Sequence, residues 1–277
     1  VKKRRVRIGN QTAFYARTPT EPFEYAIDRG FDAFEWFPDR KESGEGWDLG
    51  DLDAGARRDI KDKALAHDIS MSLHAPWQAN PVRAGSGEML EGYMDFALEI
   101  GASLLNIHLY AEEGIGAYVN AALPLIKRTA GSGLKLSIEN TPLTTPEDFN
   151  SLFSLLRGMR GGMRGLKTGH MGMCLDVGHA NLCPSTLNDY LGFVDRLDPG
   201  VPIIHLHMHE NYGDRDSHLP LFTGPAGQDP EGMRRLMGRL KKRGFTGSII
   251  LEQWPEPRWL LDRARETLLA MLSARGR

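Results

Sequence analysis

Eight short apolar runs recur along this chain at nearly even spacing, with helical patterning between them, and that alternation restricts the fold more than any other feature. The runs read VRIG (6–9), FDAFEWF (31–37), ISMSLH (69–74), SLLNIHL (103–109), LKLSIE (134–139), GMCLDV (172–177), PIIHLHMH (202–209) and GSIILEQW (247–254). Most are almost continuously apolar, as parallel strands covered on both faces should be. Between them, TEPFEYAIDRG (20–30) carries a Thr cap, an early Pro and a Gly exit. SGEMLEGYMDFALEIG (86–101) puts Leu90, Met94, Ala97 and Ile100 on one stripe. DPEGMRRLMGRLKKRG (229–244) starts at an Asp cap with Pro behind it and ends in cations and Gly. PRWLLDRARETLLAML (257–272) is the last helical pattern. Strand and helix repeated eight times predict a single-domain (β/α)₈ barrel over residues 1–277. An open doubly wound sheet is the alternative, but no GxGxxG turn follows the first run. The Gly-rich stretch 157–172 reads as a mobile loop leading into strand six.

Bulk properties narrow the function. A formal net charge of −2 gives no support to nucleic-acid binding through bulk basicity. No apolar run is long enough to span a bilayer, and VKKRRVRIGN has no apolar stretch behind its charges, so neither a membrane protein nor a secretory signal is expected. Two cysteines, Cys174 and Cys183, read as free thiols in a reducing compartment, with the cytoplasm as the default location.

In a barrel of this kind, chemistry sits where strands end at the C-terminal face. Six consecutive strands carry a carboxylate or imidazole there: His74, His108, Glu139, Asp176 with His179, His207, and Glu252. Successive spacings of 34, 31, 37, 31 and 45 residues each match about one βα unit. Any one of these residues alone would read as a satisfied core histidine or a helix cap. Six on one rim would repel one another and lose hydration unless a divalent cation compensates. Mixed imidazole and carboxylate ligands suit Zn²⁺ or Mn²⁺, with Co²⁺ or Mg²⁺ also compatible, and no organic cofactor is indicated. Asp216 and His218 lie in the loop beyond strand seven. Alternation sets His205, His207 and His209 on one side of that strand. His205 is deeper, either a core residue or a donor behind a ligand, and His209 falls at the edge of the loop.

At HAPW (74–77), NIH (106–108), SIEN (137–140), CLDVGH (174–179), HMHENYGDRDSHLP (207–220) and ILEQW (250–254), the chain resembles the xylose-isomerase-like TIM-barrel superfamily, which includes endonuclease IV (AP endonuclease family 2) and many sugar isomerases and epimerases. The resemblance implies a common metal site at Glu139, Asp176, His207 and Glu252. The further zinc ligands of endonuclease IV would fall on His74 and His108, with Glu139 shared, and on His179, Asp216 and His218. Other features depart from endonuclease IV. Only eight residues separate His207 from Asp216, LFTGPAG (221–227) replaces the usual Gly-x-Gly turn with its acidic middle residue, and LDVGH lacks the second cysteine of that signature.

Two readings follow from the resemblance. In the first, a metal-dependent isomerase or epimerase acts on a sugar, sugar phosphate or sugar acid through a metal-stabilised enediolate, with Glu139 and Glu252 removing and returning the proton. His179 and Arg215 would orient hydroxyls or a terminal anion, Trp77, Trp36 and Phe37 would wall the pocket, and Glu35 would bind a hydroxyl or cap a helix. In the second, a zinc-dependent hydrolase cleaves DNA at abasic sites, with Glu139 bridging ions and Glu252 positioning water. A barrel that keeps a metal without doing chemistry is a third reading. Lys2, Lys3, Arg4 and Arg5, and Arg157, Arg160, Arg164 and Lys167, precede strands and so belong to the opposite rim. Arg83 and Arg215 are the main cations expected near the mouth, few for a duplex-binding face. DNA is thus a partner only under the second reading, and the oligomeric state is open.

Overall fold

A computed structural model describes residues 6–159 and 169–273. Eight strands close into a parallel barrel in sequence order: β1 (Arg7–Gln11), β2 (Ala33–Trp36), β3 (Ser70–His74), β4 (Leu104–His108), β5 (Lys135–Glu139), β6 (Met171–Asp176), β7 (Ile203–Met208) and β8 (Ser248–Leu251). β8 pairs back onto β1 through Arg7 to Asn10, so the sheet has no edge and the doubly wound alternative is excluded. Helices Glu21–Asp28, Ala54–Ala66, Ser86–Ile100, Ile115–Ser132 and Pro146–Met159 follow the first five strands. Two pieces, Val177–Leu182 and Tyr190–Arg196, follow β6, Pro225–Gln228 and Glu231–Lys242 follow β7, and Trp259–Ser273 follows β8. No described helix is long and apolar enough to cross a membrane.

Local signals explain the starts of several helices. Asp53 accepts from Ala56 N and caps Ala54–Ala66, and Asp189 caps Tyr190–Arg196 through Gly192 N. Thr20, expected as a cap, makes no such bond; Thr18 Oγ1 accepts from Glu21 N at 3.1 Å instead. Helix Glu231–Lys242 begins one residue beyond its expected proline, and Asp229 Oδ1 accepts from Glu231 N at 2.9 Å.

Alternation along the strands separates two environments. Phe34, Trp36, Leu73, Leu105, Ile107, Leu136, Ile138, Leu175, Leu206 and Leu251 join the apolar layer under the helices. Trp36 therefore packs against Phe23, Phe34 and Trp47 and is fully buried in that layer, so it does not wall a pocket at the mouth. The inside of the barrel, which such folds usually fill with branched aliphatic side chains, is polar here. Glu35, Ser72, Asn106, Ser137, Cys174 and His205 are all buried there. Ser137 Oγ donates to Asn106 Oδ1 at 2.7 Å and Ser72 Oγ donates to Glu35 at 2.7 Å.

Of the Gly-rich stretch, residues 160–168 lie outside the described residues, as do Lys2, Lys3, Arg4 and Arg5. Arg160, Arg164 and Lys167 fall in the same gap, whereas Arg157 donates to Gly200 O at 3.0 Å.

Candidate metal centre

The closed sheet brings all six strand-end groups together. Glu139, at the end of β5, is the hub. Its Oε2 lies 3.1 Å from His74 Nε2 and 3.3 Å from His207 Nδ1, and its Oε1 lies 3.5 Å from His179 Nδ1 and 3.8 Å from His108 Nε2. Asn106 Nδ2 donates to Glu139 and holds the carboxylate in place from below. Glu252, one residue past β8, approaches the same His207 Nδ1, with Oε1 at 3.1 Å. Asp176 Oδ1 lies 3.2 Å from His209 Nε2 and also accepts from His179 N at 2.6 Å, capping the short helix that positions His179.

The loop after β7 completes the mouth. Glu210 and Leu219 exchange both backbone hydrogen bonds, which closes residues 210–219 into a hairpin and turns Asp216 and His218 back over the barrel. Asp216 Oδ2 sits 3.2 Å from both His179 Nε2 and His218 Nε2. His218 has φ of +43°, a left-handed conformation that few non-glycine residues adopt, and such strain concentrates at functional sites. Glu210 and Asn211, the polar residues of HMHEN, are structural. Glu210 accepts from Ala226 N at 2.8 Å, and Asn211 Nδ2 donates to Gly178 O at 2.9 Å.

His209 is the residue that strand reasoning passed over. It lies just beyond β7 yet is buried, with Nε2 3.2 Å from Asp176 Oδ1 and 3.9 Å from Glu252 Oε2. Strand alternation had placed it on the correct side. The β7–β8 register of His207 with Ile250 is what lifts Glu252 to its level. Strand seven therefore offers two imidazoles to the centre, His207 below and His209 above.

Glu35, expected to meet a substrate hydroxyl or cap a helix, does neither. It is fully buried beneath His207, with Oε1 2.7 Å from His207 Nε2 and Oε2 2.8 Å from His205 Nε2. Glu35 pairs in register with Ser72, two residues before His74 at the end of β3, so it falls short of the opening. Phe37, in the loop beyond β2, does reach the site, its ring centroid 4.7 Å from that of His74.

Electrostatics follow from this crowding. Burial alone would raise Glu139, but His207, His74 and His108 hold its carboxyl well below the usual range. Asp176 is likewise held down against burial, chiefly by His179 and His209. Burial pushes Glu252 up to about 8, with His207 opposing and Asp176 adding to the rise. Burial drives His108 down to about 3. His179 overcomes burial through Asp176 and Asp216 and rises to about 10, and His218 rises to about 9 in the same way through Asp216 and Glu252.

A divalent cation fits these residues. Nδ1 of His74, of His108 and of His209, and Asp176 Oδ2, are buried without a hydrogen-bond partner. Such groups are costly unless something satisfies them. Among the described residues, His74, His108 and Glu139 can present ligand atoms within 4.8 Å of one another, as can His74, His207 and Glu252, Glu139, Asp176 and His179, and His179, His209, Asp216 and His218.

A cleft of about 650 Å³ opens above the centre, lined by His108, His179 and Asp216 on its floor and Trp77, Arg83 and Tyr110 on its wall. Arg83 lies over the Trp77 ring, 5.6 Å from its centroid. Glu112 and Glu113, both exposed, also line the cleft. Arg215 is exposed on the rim and is not among the lining residues.

Comparison with known proteins agrees with this architecture. A protein of Methanocaldococcus jannaschii of undescribed activity is 26% identical over 209 residues, covering 67% of this chain and 65% of its own length, so the match spans just under two thirds of that relative. A D-tagatose 3-epimerase-like protein superposes with a TM-score of 0.72 at 19% identity, covering 96% of this chain and 97% of its own. Endonuclease IV from Thermus thermophilus superposes with a TM-score of 0.68 at 21% identity, covering 96% and 98%. These two likenesses carry the fold and not the reaction. The family profile described as xylose isomerase-like TIM barrel matches residues 23–272. The chain belongs to the xylose isomerase-like TIM-barrel family.

Proposed function

We propose that this protein is a divalent-metal-dependent isomerase or epimerase acting on a small sugar, sugar phosphate or sugar acid. The observation that carries this reading is the convergence of Glu139 and Glu252 on the same His207 Nδ1, at 3.3 and 3.1 Å, in a cluster whose His108 and His179 line a cleft of about 650 Å³. Two carboxylates that converge on one small volume can take a proton from a substrate carbon and return it. Glu139, Asp176 and Glu252, with an imidazole from His207 or His209, would hold the ion. When bound it would supply Lewis acidity to a carbonyl and its neighbouring hydroxyl. Zinc or manganese suits this donor set best. His179 and His108 stand where they can meet substrate hydroxyls, and Trp77 offers a face on which a sugar ring can stack. Arg83 lines the cleft beside Trp77 and is better placed than Arg215 to meet a terminal anion. Two free buried thiols fit a reducing, cytoplasmic setting.

A substrate-independent test is hydrogen exchange. Metal-loaded protein incubated in D₂O with a panel of ketoses, aldoses and their phosphates should place deuterium on the carbon beside the carbonyl of at least one of them. Absence of exchange across the panel, together with incision of abasic-site DNA, would overturn the reading.

The second reading, an endonuclease IV-like hydrolase, is favoured by one observation: His179, His209, Asp216 and His218 form a second ligand cluster beside the first. Against it stand Glu112 and Glu113, two exposed carboxylates on the cleft that would repel a phosphate backbone. Metal stoichiometry separates the two. About one ion per chain at the mouth supports the isomerase, and two to three zinc ions there support the hydrolase.

A further inference from the structure

Glu35 is fully buried on β2 and does not line the cleft, so it meets no substrate there. A carboxylate in such a place is costly unless other groups need it. Its two oxygens are divided between neighbours. Oε2 accepts from Ser72 Oγ at 2.7 Å and lies 2.8 Å from His205 Nε2. Oε1 lies 2.7 Å from His207 Nε2, with the N–H bent off the direct line. The other nitrogen of that ring, His207 Nδ1, meets Glu139 and Glu252 at 3.3 and 3.1 Å. His207 therefore has one nitrogen among the carboxylates of the mouth and one on Glu35.

Building on the metal reading of the mouth, we propose that Glu35 is a positioning residue that keeps the His207 proton on Nε2 and so aims the Nδ1 lone pair at the ion, whichever reaction the mouth performs. A neutral imidazole ligates through the nitrogen that carries no proton, and the partner of the other nitrogen selects which one that is. The contact also fixes the ring's rotation. Half a turn about Cβ–Cγ would put Cδ2 where Nδ1 stands and Cε1 where Nε2 stands, losing both ends at once. The carboxylate is itself held from two strands. Ser72 pairs in register with Glu35 on β3, and His205 lies two residues before His207 on β7. His205 thus bears on His207 through Glu35. An amide could not take this place. Glutamine offers one acceptor oxygen where three donors converge, and its NH₂ turned to His207 would donate to Nε2 and drive the proton to Nδ1, the wrong tautomer for the ion.

The test is a zinc titration of stripped wild-type protein and of Glu35→Gln, each checked for a cooperative melting transition, against a competing chromophoric chelator. Affinity should fall about 10–100-fold in the variant. A carboxylate that served packing alone would lower the melting temperature of the stripped protein and leave the zinc affinity of the folded variant within about twofold of wild type, which would overturn the role of Glu35. Long-range proton–nitrogen correlation of the histidine rings in zinc-loaded wild type needs no variant to fold. It should show His207 with zinc on Nδ1 and a proton on Nε2. Zinc on Nε2 of His207 would overturn the role of Glu35 while leaving the mouth reading intact. Wild-type protein that takes up no divalent ion would overturn both.

Discussion

His209 lies face to face with His218, their centroids 3.9 Å apart and their planes within 12°. Burial, joined by the charge on His218, holds His209 below its ordinary value against the opposing pull of Asp176, while His218 is raised to about 9. A neutral ring thus stacks on a charged one. With His179 at about 10, Glu252 at about 8 and His207 raised well above its ordinary value, against burial, by Cys174, Glu252 and Glu139, at least four groups there carry protons at pH 7. A metal needs neutral imidazole and ionised carboxylate, so loading must expel protons. Glu252 is the ligand among them with a raised carboxyl, so affinity should climb as pH rises through about 8, and the nearby charge on His179 and His218, lost only toward 9 to 10, extends the climb. Calorimetric titration of metal into stripped protein, in two buffers of different ionisation enthalpy, should reveal net proton release at pH 7. Identical heats in both buffers would contradict this.

Gly178 in LDVGH touches no ligand through a side chain, but a Cβ there would lie 2.0 Å from His209 Cε1. Gly178→Ala should push that ring out of line. We expect metal affinity to fall at least about tenfold, equivalent to about 1.4 kcal/mol. The readout is the rise in melting temperature on adding metal, which should shrink. An undiminished rise would show that His209 is not part of the metal centre.

Two tryptophans should respond in opposite ways. Trp77 is 52% exposed on the cleft wall, so Trp77→Ala should leave stability within about 0.5 kcal/mol of wild type while raising KM about tenfold at similar kcat. Trp36 is fully buried under the helices, and Trp36→Ala should cost about 3–5 kcal/mol in chemical denaturation. A stability loss of that size in Trp77→Ala would mean that the ring serves packing and not the cleft.

His74 Nε2 lies 3.1 Å from Glu139 Oε2. Under the isomerase reading, His74→Ala should weaken substrate binding by about tenfold and leave turnover measurable. Under the hydrolase reading it removes a metal ligand and abolishes phosphodiester cleavage. Glu139→Gln should lower kcat by about 10²–10⁴ under the isomerase reading.

The barrel was legible in the sequence because its strands are buried on the helix side, which leaves runs such as SLLNIHL and GSIILEQW almost free of polar interruption. The gathering of Glu139, Asp176, His207 and Glu252 followed from closure alone. Depth along the axis was not legible. Strand tilt and stagger decide which inward residue reaches the mouth, and they put Glu35 below it and His209 beside Asp176. One misreading was avoidable. Glu35 and Trp36 are adjacent on β2, so they had to face opposite sides of the sheet. The loop after β3, which sets Arg83 over Trp77, carries no period from which its path could be read.

The hydrophilic shaft at the centre of this barrel has a cost outside chemistry. Where related architectures are filled with grease, this one is lined by hydroxyls, imidazoles and acids held by hydrogen bonds and ion pairs. Chelation should therefore loosen the scaffold itself as well as silence it, making protease resistance a gauge of metal supply.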